Sequence, residues 1–177
     1  MKNKKTALLL AVCLSLGTLA GCSTEEINNY RQAELDLADG NFQTALEEYE
    51  TAVSDGIKVA ESYRGAGVAN VRLGNYEAAI EDFTQALNCE KVGKALKKDI
   101  LSYRAAAYLK TKSYEEALTD CQALAEGYDM DADLYFLSGE VALAMDSYEE
   151  AASYFEQAYG EDATYDMAIR IYAVYLE

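Results

Sequence analysis

The chain has 177 residues, with 15 lysines and arginines against 31 aspartates and glutamates, a formal net charge of −16. It contains no histidine, proline or tryptophan, which excludes a His general base, a Ser/His/Asp triad and a His-bearing zinc site and leaves nothing to force a helix to break. The length suits one globular domain or a short solenoid, and 15 tyrosines supply most of the aromatic surface.

Lys2, Lys4 and Lys5 form a positive leading segment, followed by an apolar run from Ala7 to Leu16 that continues into residues 17–22. This predicts a secretory signal, too short for a membrane span. Leu19-Ala-Gly-Cys22 resembles the bacterial lipobox. The resemblance implies cleavage after Gly21, a diacylglyceryl thioether and an N-acyl chain on Cys22, and residues 22–25 as a short tether to the lipid bilayer. The expected location is a bacterial cell membrane, facing outside the cytoplasm; Ser23 is compatible with sorting to an outer membrane where the host has one. Removing residues 1–21 leaves 12 bases and 31 acids, a net −19. A charge of that sign argues against nucleic acid as a partner and against lying flat on an anionic leaflet. No cofactor is expected beyond the lipid on Cys22.

Ser23 to Glu26 reads as a capping box that opens a helix over residues 25–38. A decapeptide then recurs, beginning at Gly40, Gly74, Lys112 and Asp146. Its third residue is aromatic (Phe42, Tyr76, Tyr114, Tyr148) and its sixth is alanine (Ala45, Ala79, Ala117, Ala151). Each copy starts a helix, predicted over Phe42–Ser54, Tyr76–Leu87, Tyr114–Ala125 and from Tyr148 onward. The intervening helices open near Ala60, span Ile100–Lys110, and carry Tyr135, Gly139 and Leu143. Gly67 inside a helix costs about 1 kcal/mol against alanine, which is explained if a facing helix needs the space. Residues 88–98 are basic, with Gly93 as a breaker, so either the flanking helices are extended or the loop is longer. Gly160 to Asp162 is a turn. Tyr165–Leu176 is a last amphipathic helix with Met167, Ile169, Ile171, Tyr172 and Val174, either a cap or the opening of a further helix pair.

The alanines are spaced by 34, 38 and 34 residues. A two-helix unit of this period resembles the tetratricopeptide repeat. In the third unit Cys121 replaces the usual aromatic and Leu124 the usual alanine. The resemblance covers residues 26–177, as repeats 26–59, 60–93, 98–131 and 132–164 with a final helix over 165–177. It implies an all-α fold, a right-handed solenoid of helix-turn-helix repeats with a C-terminal capping helix. It also implies a concave groove lined by the first helix of each pair, holding an extended or helical peptide. In the family register Tyr30, Glu34, Arg64, Val68, Arg72, Tyr103, Ala106, Lys110, Phe136 and Glu140 face that groove. The lysine–asparagine–arginine clamp that chaperone-binding members use for a C-terminal carboxylate is not reproduced, because Tyr30, Glu34 and Gly65 stand at its positions.

Charge is segregated. Residues 22–57 hold one base and nine acids, residues 58–112 ten bases and six acids, and residues 113–177 one base and 16 acids. In a solenoid this becomes a basic belt between acidic ends, which either receives an acidic segment of a partner or the acidic end of another copy, or is a solvated surface. The acids of Tyr128 to Asp133 alternate, but lack the central glycine and closing glutamate of a calcium loop; they read as a turn and helix N-terminus. Cys89 and Cys121 remain as an exported pair that could bridge, although Cys121 falls at an interior position that suits a buried free thiol. Nothing assembles a nucleophile, a base and an oxyanion site, so no enzyme is expected. The function expected is a membrane-anchored adaptor or scaffold for a protein or peptide. The competing readings are a self-assembling solenoid, a homo-oligomer built through the last helix or the charged belts, and capture of a small ligand or glycan on Tyr30, Tyr103 and Phe136.

Overall fold

The computed structural model describes residues 29–176. The expected signal, lipobox and capping box fall on residues 1–28 and lie outside the described residues. The described residues form helices and no strands: α1 (29–39), α2 (Phe42–Ser54), α3 (Val59–Leu73), α4 (Tyr76–Asn88), α5 (Lys94–Lys110), α6 (Tyr114–Gly127), α7 (Ala132–Ala144), α8 (Tyr148–Glu161) and α9 (Tyr165–Val174). Every helix packs on the next in sequence from α2 onward, and α3 also packs on α5 and α5 on α7. The first helices of successive pairs therefore touch one another, which places them on the inner side of the array. The result is an all-α solenoid ending in a single helix.

The decapeptide explains the turn inside each pair. Its first residue, Gly40, Gly74, Lys112 or Asp146, has a positive φ of 85°, 81°, 61° or 59°. This left-handed residue reverses the chain, and the next amide closes the turn on a carbonyl five residues earlier (Asn41 to Asp36, Asn75 to Asn70, Ser113 to Tyr108, Ser147 to Ala142, 2.8–2.9 Å). Glycine adopts this φ at no steric cost, whereas Lys112 and Asp146 carry strain.

The sixth-position alanines Ala45, Ala79, Ala117 and Ala151 are all 0% exposed, where α2, α4, α6 and α8 meet their partners. Gly67 and Gly139 have the same purpose from the facing side. A Cβ built on Gly67 would lie 2.6 Å from the Phe83 ring, and one on Gly139 2.5 Å from the Phe155 ring. Gly65, which the sequence placed at a clamp position, turns out to be a packing residue: the ring of Tyr49, from the preceding unit, occupies the space its Cβ would take.

The basic segment before the third unit is resolved in favour of helix extension. Gly93 stays extended and α5 begins at Lys94, six residues before the expected Ile100. Residues 94–99 include Ala95, Leu96 and three lysines, all good helix formers. At the other boundary of the fourth unit, α8 runs through Gly160 and Glu161, where the sequence suggested a turn.

Candidate functional site

The inner side of α5, α7 and α9 forms a solvent-open trough of about 610 Å³. Successive turns of each helix supply it. Asp99, Ser102 and Ala106 come from α5; Asp133, Phe136 and Glu140 come from α7; Arg170 comes from α9. These residues follow a spacing of three and four along each helix, which keeps them on one face, and a spacing of 34 between helices, which stacks those faces side by side. Tyr103, Leu134 and Leu137 complete the apolar part, and Lys98 and Asp131 close one end.

The floor is held from behind. Phe136 packs on Phe155 with ring centroids 5.5 Å apart, and Tyr103 stacks on Phe83 at 5.9 Å. Above the floor the charged groups are tied in pairs across neighbouring helices. Arg64 on α3 binds Asp99 on α5 through its Nε and lies 5.3 Å from the Tyr103 ring. Lys98 donates to Asp131 Oδ2 at 2.8 Å. Arg170 Nη1 donates to Asp133 Oδ1 at 2.7 Å while its guanidinium covers the Phe136 ring at 4.2 Å. Burial opposes the charge of Arg64, but the hydrogen bond and charge of Asp99 outweigh it and raise its pKa. For Asp131, burial acts upward, and the Lys98 ammonium and the Leu134 N–H prevail and hold the carboxyl below its ordinary value. Asp131 is also the N-cap of α7, accepting from Leu134 N at 3.0 Å. The acids of 128–133 thus cap α7 and tie it to α5 and α9.

Four of the residues projected onto the groove therefore line the trough: Tyr103, Ala106, Phe136 and Glu140. Arg64 borders it through Asp99. The others lie elsewhere. Tyr30 is buried, edge-on to Tyr49 at 5.9 Å, with its hydroxyl donating to Glu34 Oε1 at 2.9 Å and Lys58 Nζ 4.3 Å from its ring centroid. Burial first, and then Glu34, pushes the Tyr30 phenol above its ordinary value. Val68 is buried with Phe83 and Ile100. Arg72 and Lys110 are exposed at the ends of α3 and α5, and Arg72 lies 4.8 Å from the Phe42 ring. Lys98, Asp99, Ser102, Asp131, Asp133, Leu137 and Arg170 were missed. The period marks four of them: Asp133 and Asp99 stand 34 residues apart, as do Arg170 and Phe136, and Phe136 and Ser102.

Chemically the trough offers an apolar floor of aromatic and aliphatic carbon, ringed by four carboxylates and two cations from its own lining. Among the described residues no group of three or more cysteines, aspartates or glutamates is placed to hold a metal ion. Cys89 is partly exposed and Cys121 buried, and both are free thiols. Burial pushes the Cys121 thiol up to about 11, against a weaker opposing hydrogen bond from Ser138, so it is not an activated nucleophile. No described helix is long and apolar enough to cross a membrane.

Comparison with known proteins agrees with this architecture. A protein of Dictyostelium discoideum named DnaJ homolog subfamily C member 7 homolog is 26% identical over 139 residues, which is 75% of this chain and 26% of that protein. Human tetratricopeptide repeat protein 12 is 32% identical over 90 residues, 51% of this chain and 12% of its own. The chain thus spans about a quarter and about an eighth of these relatives. Among solved structures, YrrB, described as a TPR protein with an unusual peptide-binding site, superposes with a TM-score of 0.70 at 23% identity, covering 90% of this chain and 81% of its own. MamA from Desulfovibrio magneticus gives 0.68 at 22%, covering 78% and 76%. These likenesses are of fold. The tetratricopeptide repeat family model matches residues 30–95 and 104–166, and the chain belongs to that family.

Proposed function

We propose that this protein is a lipid-anchored adaptor that holds a protein or peptide partner in the trough between α5, α7 and α9, outside the cytoplasm of a bacterial cell. The trough carries the reading. It is open rather than enclosed, it presents apolar floor and charged rim together, and its rigid walls are helices already packed from behind. An extended or helical segment lies in such a surface without ordering the protein, which keeps the cost of binding low. An enclosed small ligand or glycan would want a closed pocket.

The resident ion pairs refine the expected partner. An acidic side chain entering the trough competes with Asp99, Asp131 and Asp133 for Arg64, Lys98 and Arg170, whereas an apolar side chain does not. The reading therefore puts an apolar anchor of the partner over Ala106, Phe136 and Leu137. Its acidic residues belong on the exposed Arg72 and Lys110 at the ends of α3 and α5. No catalysis is part of this function.

Attachment rests on Leu19 to Cys22. An anchor at Cys22 confines the adaptor and its client to the membrane surface, raising their effective concentration without any new contact. The mature net charge of −19 keeps the solenoid off an anionic leaflet.

Two measurements test this. Cells fed an alkyne fatty acid should label the wild-type protein and leave Cys22→Ser unlabelled; equal labelling would remove the anchor. A displayed random-peptide library selected on the full chain should yield binders that weaken by at least about tenfold against Ala106→Arg and not against Gln85→Arg on the exposed part of α4. Binders indifferent to Ala106→Arg would remove the trough as the site.

A further inference from the structure

Helix α9 is apolar on two faces. Met167 is buried at 1% exposure, and Ile171 and Val174 pack beside it against the cluster of Phe136 and Phe155. On the other side Tyr165, Ile169 and Tyr172 follow at intervals of four and three residues, a single helical stripe, and Leu176 stands in the turn just past the end of the helix. They are 83, 47, 66 and 68% exposed.

The chain itself shows what covers such a face. Ile169, Tyr172, Ala173 and Leu176 stand 34 residues after Tyr135, Ser138, Gly139 and Ala142 of α7. There, all but Tyr135 are buried: Gly139 and Ala142 pack against α8, whose Phe155 ring rests on Gly139, while Ser138 is turned toward Cys121 of α6. Helix α9 thus repeats the face of α7 that receives α8, with no described helix upon it.

We infer that the outer face of α9 docks one amphipathic helix of a partner protein, lying on α9 as α8 lies on α7 and carrying lysine and arginine along its flanks. The charge of the surroundings selects that occupant. From Tyr148 to Leu176 the acids are Glu149, Glu150, Glu156, Glu161, Asp162 and Asp166, and the single base, Arg170, is bound to Asp133. A second copy would bring the same acidic end against its like, and an anionic leaflet is repelled in the same way. A basic amphipathic helix satisfies both the apolar stripe and its rim. This surface lies apart from the floor of the trough, so its failure leaves the peptide-adaptor reading standing, and the reverse holds.

Fluorescence anisotropy with the full-length chain tests the assignment using two labelled synthetic peptides. One is the segment 147–162, which covers α7 in the fold; the other is the same segment carrying Glu149→Lys, Glu150→Lys, Glu156→Lys and Glu161→Lys. The basic peptide should bind at least about tenfold tighter than the unchanged one at low salt, with the gap closing as salt is raised. Ile169→Asp with Tyr172→Asp, both at exposed positions, should weaken it by at least about tenfold while leaving helical circular dichroism unchanged. Ala106→Arg in the trough should leave this binding as it was. Absence of binding by both peptides, or equal binding to the Ile169→Asp/Tyr172→Asp chain, overturns the docking surface. A dimer in sedimentation that Ile169→Asp dissociates overturns the choice of occupant and assigns the face to a second copy.

Discussion

The second and fourth units close their helix pairs one way and the third unit another. In the outer two a phenylalanine ring on the second helix fills the hollow over a glycine on the first, Phe83 on Gly67 and Phe155 on Gly139. In the third unit the same positions hold Cys121 and Ala105, a smaller pair, and the neighbouring position of α5 carries Arg104. Arg104 Nε and Nη2 donate to both carboxylate oxygens of Asp120 on α6, at 2.8 and 2.7 Å, and Nη1 donates to Thr84 on α4 at 3.0 Å. The Arg104 and Asp120 side chains are 17% and 4% exposed. Burial works against the charge of Arg104, and Asp120 more than offsets it, raising its pKa. One slot in the repeat can therefore be closed by shape or by charge. The charged closure also reaches back to the preceding unit through Thr84, whereas the Phe83 ring of the second unit reaches forward to Tyr103 on α5.

The comparison breaks most severely at Asp120. Asp120→Ala leaves a buried guanidinium without its partner and should cost about 3–5 kcal/mol in urea unfolding, about the same as Phe155→Ala in the fourth unit. A cost under about 1 kcal/mol would mean that Arg104 escapes to solvent and that the third unit stands on its apolar contacts alone.

A sharper test converts one closure into the other. Cys121→Phe by itself overfills the third unit and should cost about 1–3 kcal/mol. Adding Ala105→Gly opens the hollow, and a double-mutant cycle should recover at least about 1 kcal/mol of coupling. Additive losses would show that the hollow of the third unit is set by backbone spacing rather than by the two side chains.

The second unit offers a pH test of the same slot, since Asp82 stands where Asp120 does but is met by the Asn70 amide, 2.8 Å away, in place of a guanidinium. Burial pushes the Asp82 carboxyl up to about 6, Asn70 opposes this, and Glu50 and Glu81 add to the rise. A raised carboxylate binds its proton more tightly when folded, so its contribution is complete below the ordinary carboxylate pKa and lost as pH rises through about 6. Relative to Asp82→Asn, the wild type should lose on the order of 1–3 kcal/mol between about pH 4 and about pH 7. Parallel stability curves for the two would show that Asp82 is solvated.

The smallest effect concerns the turns. Lys112→Gly relieves a left-handed lysine and should stabilise by about 0.5–1 kcal/mol, whereas Gly74→Lys at the matching turn should destabilise by about 1 kcal/mol. Equal and negligible effects would mean that the turn hydrogen bonds, not φ, set the cost.

The fold was legible because the decapeptide marks both a turn and the face that follows it: α2 begins at Phe42 and ends at Ser54 as the pattern indicates. The start of α5 was not, since an inserted segment of good helix formers satisfies either a longer loop or a longer helix, and only packing decides. The packing role of Gly65 was not legible for a related reason. Its neighbour is Tyr49 of the preceding unit, and a pattern read within one unit carries no information about contacts between units. The register projected Tyr103, Ala106, Phe136 and Glu140 onto one face, and these four line the trough. It could not show that Tyr30 and Glu34 bond to each other, or that Arg64 is held by Asp99. Spacing tells which way a side chain starts; it does not tell what it meets.

The most direct measurement is photocrosslinking in living cells from a photoreactive residue at position 103 in the trough, with position 85 on α4 as control. The account predicts one dominant foreign protein captured from position 103, absent from position 85, and lost when Ala106→Arg fills the floor. Capture that is the same from both positions, or that survives Ala106→Arg, would contradict the trough as the place where this solenoid holds its partner.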